Sequence, residues 1–241
     1  MLDCKNTAEE IRNSGIDIAV IPLGSVEQHG SHLPIGTDCV LAQNFARAIA
    51  EKFNALLLPV LPVSTCYEHK GKMGNVWMRP STYYTMLQDI ILCLREQGFR
   101  KILLVPGHGG IFITNPAIRE INAMYDDILV VKVPLLEAPI EKTVLENKES
   151  ELHAGESETS FILHFNENLV KKERMAENDC TPDALQSFLD YASVHQLTKN
   201  GVWGKPSLAT KEKGKKLFEL YVGEAVKYVE RVFQIAGTDK W

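Results

Sequence analysis

The chain has 241 residues, 45% of them apolar and 24% charged, which is an ordinary balance for a globular protein. With 26 Lys and Arg against 31 Asp and Glu the net charge is −5, and no basic block offers a track for phosphates, which argues against nucleic acid as a partner. The longest apolar runs, such as residues 55–63, fall far short of the roughly 20 residues that span a bilayer, so a membrane role is not expected either.

In chain order, Thr7-Ala-Glu-Glu10 reads as a capping box that opens a short helix ending near Gly15. Residues 1–15 carry too many charges for a secretory signal. Residues 16–23 are β-branched and nearly all apolar, the pattern of a strand buried on both faces. A turn-rich loop follows, and from Thr37 and Asp38 a helical period runs through Val40, Leu41, Phe45, Ala48 and Ile49 to Phe53.

Residues 55–63 form a second apolar strand whose prolines predict an edge or irregular position. Residues 64–80 read as loop. Ser81 caps a helix with Tyr84, Leu87, Ile90, Ile91 and Leu94 on one side, ending at Gly98. Residues 101–105 form a third strand, Asn115-Pro116 opens a helix to about Tyr125, and 128–136 is a fourth strand.

Beyond it, residues 137–151 are polar, a mobile loop or short helix. A helix starts inside the acidic run at 156 and reaches 165. Residues 166–206 show weak periodicity and wrap the surface or line a subunit contact, and a last helix spans about 210–233. Four alternations of strand and helix predict an α/β fold with a mostly parallel sheet covered on both faces. No repeat or linker interrupts it, so residues 1–241 are expected to form one domain.

Five cysteines, Cys4, Cys39, Cys66, Cys93 and Cys180, form no CxxC pair. Free thiols in a reducing compartment, the cytoplasm, are the expectation. Cys39 and Cys66 lie near the residues singled out below, so thiol chemistry is a minor competing reading.

Those residues begin with Gly24-Ser-Val-Glu-Gln-His-Gly-Ser-His-Leu-Pro-Ile-Gly-Thr-Asp38, at the carboxyl end of a buried strand, where open α/β sheets place their ligands. Glu27 and His29, two apart in extended chain, point the same way and can reach one ion. Asp38 at a helix start is favoured by the helix dipole and can bridge two ions. The competing account makes His29 and His32 turn caps and Asp38 a helix cap.

His108 sits among glycines in Pro106-Gly-His-Gly-Gly110, after another buried strand. The glycines let the chain approach a ligand and leave amides exposed, although a plain tight turn would look similar. In His153-Ala-Gly-Glu-Ser-Glu-Thr-Ser160, Glu156 is read as a carboxylate ligand, His153 as a proton carrier, and Glu158 as a supporting residue. His69, His164 and His195 lack such context, and surface or packing roles are expected for them, although Glu68-His69 lies in a loop that could close over a substrate.

Taken together, residues 22–34 with Thr37-Asp38, then Gly107-His-Gly-Gly110, then residues 153–160, closely resemble the creatininase (creatinine amidohydrolase) family. Gly201-Val-Trp-Gly204, Pro206, Ala209 and Lys213-Gly214 resemble its closing segment. The resemblance implies a three-layer α/β/α sandwich and two divalent ions, zinc or manganese and sometimes iron. On it, Glu27 and His108 hold one ion, His29 and Glu156 the other, and Asp38 bridges them. It also implies a compact homo-oligomer, often a hexamer.

Mixed carboxylate and imidazole ligands suit zinc or manganese, and two ions can hold a hydroxide between them at neutral pH. His153 would then carry a proton to the leaving nitrogen. The amides of Gly109 and Gly110 would stabilise the oxyanion, and Glu68, His69 and Trp77 would contact substrate.

The departures are informative. Creatininase itself takes a glutamate ligand two residues after the central histidine, and Gly110 stands there. Pro106, Ile111 and Ser31 replace the usual Asn, Asn and Pro. This pattern resembles the non-creatininase branches: formamide hydrolases of flavin and deazaflavin precursor synthesis, a peptidase trimming a cofactor-precursor peptide, and an enzyme opening a cyclic inositol-derived ketone. The expected function is amide C–N hydrolysis on a small polar metabolite. The alternatives are hydrolytic C–C ring opening, the peptidase activity, and a metal-stabilised oligomeric binding protein without turnover.

Overall fold

The structure is a computed structural model that describes residues 1–135, 138–147 and 150–236. Its centre is a five-stranded parallel sheet of β1 (Leu2–Asp3), β2 (Ile18–Leu23), β3 (Leu56–Leu57), β4 (Lys101–Pro106) and β5 (Leu129–Lys132), in the order β1-β3-β2-β4-β5. Between strands run α1 (Ala8–Asn13), α2 (Thr37–Lys52), α3 (Pro80–Glu96) and α4 (Thr114–Met124). After the sheet come α5 (Ala138–Val144), α6 (Glu156–Asn166), α7 (Val194–Leu197) and α8 (Lys211–Ala236).

Strand residues alternate between two apolar layers because successive side chains point to opposite faces. Val20, Leu103, Val105 and Val131 pack with Phe45 of α2, Phe161 of α6 and Tyr221 of α8. Ala19, Ile21, Ile102, Leu104 and Val130 pack with Leu87 and Ile91 of α3 and Ile121 of α4. This is the three-layer α/β/α sandwich. In the first layer Phe45 meets Phe161 edge-to-face with ring centroids 5.3 Å apart.

Several boundaries follow local chemistry. Thr7 and Glu10 form the reciprocal capping box at the start of α1. Pro80 takes the first position of α3, so Arg79 rather than Ser81 is the cap. The apolar stretch 55–63 keeps only two residues of regular strand, because Pro59 and Pro62 cannot donate ladder hydrogen bonds. Leu58 and Leu61 still donate to Val20 and Pro22 of β2. β3 is thereby an irregular inner strand, and β1, unanticipated at two residues, forms the edge.

The expected strand at 128–136 is regular only over β5, with Leu136 outside the described residues. Within 137–151, α5 is a short helix, and Glu137, Lys148 and Glu149 lie outside the described residues. Segment 166–206 consists of short 3₁₀ turns and α7. Among the described residues no helix is long and apolar enough to cross a membrane.

One close approach positions the chemistry. A Cβ at Gly107 would lie 2.2 Å from the Asp38 carbonyl oxygen and 2.8 Å from the Ala42 nitrogen. Only glycine lets the chain leaving β4 press on the first turn of α2, which brings His108 beside Asp38. Gly107→Ala is expected to destabilise the fold by about 1–3 kcal/mol through overpacking and to weaken metal binding. Thermal melting and metal titration would check it, and an unchanged melting temperature would count against the close approach.

Candidate metal centre

The loops after β2 and β4 and the start of α2 converge at the carboxyl edge of the sheet, joined by the turn before α6. Glu27, His29, Asp38, His108, His153 and Glu158 are all buried there. Asp38 Oδ1 lies 3.1 Å from His29 Nε2, while its Oδ2 lies 3.3 Å from His108 Nδ1. Glu27 Oε1 is 3.2 Å from His108 Nδ1 and 3.2 Å from His69 Nε2. The two oxygens of Asp38 thus face two different imidazoles.

Supporting contacts aim these groups. Glu27 Oε2 accepts a 2.7 Å hydrogen bond from Ser25, whose hydroxyl accepts one from Ser64, so Oε1 is the free oxygen. His29 Nδ1 lies 3.1 Å from the Glu27 carbonyl, which leaves Nε2 toward Asp38. His153 Nε2 donates to the Gln28 carbonyl at 2.7 Å, so a neutral ring turns a bare Nδ1 toward Glu27 Oε1, 3.8 Å away. Ala154 holds φ +52°, a left-handed conformation costing an alanine about 1 kcal/mol. Its N–H donates to Glu158 Oε2 at 2.6 Å.

The buried carboxylates and imidazoles of the cluster shift one another's protonation. Burial opposes charge on His29, but Asp38 outweighs it and raises the imidazole to about 10. His108 is likewise raised well above the ordinary range, burial being overcome by Glu27 and Asp38. Burial disfavours the Glu27 carboxylate, yet His108 and His69 hold it well below its usual range. Burial and the neighbouring His29 and His69 push His153 well down, so it is neutral. Burial pushes Glu158 up to about 7 against the pull of His29.

Four donor atoms here are buried without any hydrogen-bond partner: Glu27 Oε1, His29 Nε2, Asp38 Oδ2 and His108 Nε2. Unpaired buried polar atoms are costly; the first three of these face the cluster, and with His108 Nδ1 they form an oxygen and imidazole donor set that suits zinc or manganese. Among the described residues, four overlapping triads of His and carboxylate residues bring their ligand atoms within 4.8 Å of one another, including Glu27–His29–Asp38 and His29–His153–Glu158. The residues present fit divalent ions.

A pH dependence follows. Without metal, His29 and His108 are protonated at neutral pH, and imidazoles must lose their protons to ligate. The stabilisation from the raised His29 is complete below about 6.5 and is lost as pH climbs through about 10. Metal affinity is therefore expected to rise over that window, with release of about two to three protons, from His29, His108 and the part-protonated Glu158, when the site fills at pH 7. Calorimetry in buffers of different ionisation enthalpy would measure this, and zero release would contradict it.

The structure also corrects the sequence reading. Glu156, expected as a ligand, does not face the cluster. Its carboxylate bonds the Lys213 ammonium and accepts from the backbone nitrogens of Glu146 and Asn147. Glu158, expected only in support, lies with Oε2 3.7 Å from His29 Nε2. Glu156 and Glu158 are two apart on a helix and so point in different directions.

His69, expected at the surface or in packing or else in a loop over the substrate, is buried against Glu27. His32 bonds Thr159, and burial together with the adjacent His29 lowers it to about 4. Burial raises the Cys39 and Cys66 thiols to about 11, which disfavours thiolate chemistry.

A cavity of about 740 Å³ opens over the cluster, lined by Glu68, His69, His108, Gly109, Gly110, His153 and Glu158. Its outer wall, residues 186–194, carried no sequence signal. Trp77, expected to touch substrate, is not among the lining residues and packs edge-on against Tyr67 at 4.7 Å.

A parallel α/β sandwich carrying a buried carboxylate–imidazole cradle at the carboxyl ends of its strands defines a hydrolase of the metal-cradle type. The family described as creatininase, creatinine amidohydrolase, matches residues 5–229, and the chain belongs to it. It is thus a creatininase-family amidohydrolase.

Relatives include the mycofactocin precursor peptide peptidase of Mycobacterium ulcerans, 27% identical over 226 residues, covering 88% of this chain and 84% of that protein. The creatinine amidohydrolase of Pseudomonas putida is 27% identical over 229 residues, 87% of each chain. The 3-dehydro-scyllo-inosose hydrolase of Thermotoga maritima is 26% identical over 243 residues, 90% of this chain and 78% of that one. A solved structure from Bacteroides fragilis, provisionally described as a creatinine amidohydrolase, superposes with TM-score 0.83 at 27% identity over 100% of this chain and 98% of its own. Manganese creatininase superposes with TM-score 0.81 at 23% identity over 96% and 98%, which shows the shared fold.

Proposed function

We propose that the chain is a dinuclear metal hydrolase that cleaves an amide C–N bond of a small polar metabolite, working in the cytoplasm as a homo-oligomer. The observation that carries this reading is the set of buried, unpartnered atoms Glu27 Oε1, His29 Nε2 and Asp38 Oδ2, gathered with His108 Nδ1 around the Asp38 carboxylate. On this reading His29, Asp38 and Glu158 would hold one ion, and Glu27, Asp38 and His108 would hold the other. Zinc or manganese would supply Lewis acidity and an acidified water.

The chain's own residues do the rest. The bare Nδ1 of His153, directed toward Glu27, is placed to take a proton and deliver it to the leaving nitrogen. Gly109, open on its Cβ side, borders the cavity with bare backbone suited to a developing oxyanion, and Gly110 beside it faces the Glu68 carboxylate. The Gln28 carbonyl, accepting from His153 Nε2, holds that imidazole in place, and the Gln28 side-chain amide donates to the Gly201 carbonyl.

The cavity supports a second reading of the substrate. Its size and its rim of Tyr67, Phe112 and Tyr191 suit a bulkier amide, peptide-like ones included. Among the described lining residues there is no Lys or Arg, while Glu68 and Asp190 are acidic. A neutral or cationic substrate fits this wall better than a phosphorylated one.

Metal analysis of the purified protein tests the centre, and fewer than two ions per chain would sink it. A panel of cyclic amides, formamides, short peptides and inositol-derived ketones tests the reaction. Turnover only of the ketones would replace amide cleavage by C–C ring opening. Tight binding without product from any of them would leave a binding protein.

A further inference from the structure

We infer that Glu68 accepts the Nε2 proton of His108, positioning this imidazole to bind metal through Nδ1, in space that Gly110 leaves open. The inference rests on the metal reading above and assigns a residue that reading does not use.

His108 Nδ1 faces Glu27 and Asp38 at 3.2 and 3.3 Å, so Nδ1 is its ligand atom. A neutral imidazole ligating through Nδ1 carries its proton on Nε2. That nitrogen is buried and has no well-aligned hydrogen-bond partner. Glu68 Oε1, 3.1 Å away but off the N–H line, is the acceptor within reach. Metal-ligating histidines almost always donate their second nitrogen to a carboxylate, carbonyl or water, which sets tautomer and ring orientation.

Glu68 comes from the 3₁₀ turn Tyr67–His69, on a different loop from His108. Thr65, three residues earlier, donates its hydroxyl to the Gly110 carbonyl at 2.8 Å and ties that turn to the central loop. A Cβ at position 110 would lie 2.1 Å from Glu68 Oε1 and 2.5 Å from His108 Nε2. The carboxylate therefore occupies the volume that any side chain at 110 would need. Position 110, where creatininase carries a glutamate, is bare here, and the acid is delivered from another loop.

The test is zinc stoichiometry and affinity, measured by competition with a chromogenic chelator, for wild type, Glu68→Ala, Glu68→Gln and Gly110→Ala. Wild type is expected to hold two ions, and Glu68→Ala to bind one of them 10–100-fold more weakly while the other is unchanged. Glu68→Gln keeps an acceptor oxygen and recovers most of the loss. Gly110→Ala presses on both the carboxylate and the His108 ring and weakens binding of the same ion at least as much. In the zinc-loaded protein, the slowly exchanging Nε2–H resonance of His108 disappears in Glu68→Ala.

Wild-type affinity for both ions in Glu68→Ala, with only KM raised, would overturn the assignment and make Glu68 a substrate contact. A wild type that binds no ion would overturn the metal reading itself, and this assignment with it, which is a different result from an indifferent Glu68→Ala.

Discussion

Asp38→Ala is expected to abolish tight binding of both ions and to lower kcat/KM by on the order of 10³-fold or more, about 4 kcal/mol of transition-state stabilisation. The size of the effect comes from geometry. The two oxygens of this 1%-exposed carboxylate face His29 and His108, at 3.1 and 3.3 Å, so one deletion removes a ligand from each half of the centre. Deleting His108 or Glu158 removes a ligand from one half only. Metal content and steady-state kinetics measured on one preparation would decide it. Retention of one ion at wild-type affinity would show that Asp38 does not bridge.

Glu158→Gln and Glu156→Gln are expected to part company although they alter the same helical turn. The Glu158 change leaves an oxygen to accept the Ala154 N–H, so the fold should hold while one ion is lost and activity falls on the order of 10²-fold or more. The Glu156 change breaks a fully buried carboxylate away from Lys213 and from the nitrogens of Glu146 and Asn147. A loss of about 2–4 kcal/mol follows, with metal stoichiometry intact. For a chain of this length that lowers Tm by roughly 5–15 °C. The reverse pattern, with metal lost in Glu156→Gln and stability lost in Glu158→Gln, would reinstate Glu156 as the ligand.

That reversal of the two glutamates shows where reading from sequence stops. The acidic run 156–158 announces a carboxylate near His153, but which one turns inward depends on the rotation of α6 about its axis. The rotation is set by packing of Phe161 against Phe45 and Tyr221, far along the chain. Lys213, which claims Glu156, is 57 residues away on α8. His69 was undervalued for a similar reason, since a histidine in an irregular loop carries no periodicity to say whether the loop folds inward. The outer wall 186–194 gave no signal because its side chains are ordinary surface residues that become lining by position alone.

Local chemistry was sufficient for the rest. Apolar β-branched runs alternating with helical periods specify a parallel sheet covered on both faces, since those strands have no polar face to show to water. The strand-end glycines and the density of acid and imidazole after β2 mark the edge of the sheet where the ligands gather, because side chains and amides at strand ends point into shared space. Partnering across distance belonged to the tertiary structure: which oxygen of Asp38 faces which histidine, that Glu158 rather than Glu156 approaches His29, and that Glu68 fills the room beside Gly110. Such distances depend on the docking of helices and loops remote in sequence, and a few ångströms of that docking separate a metal ligand from a structural ion pair.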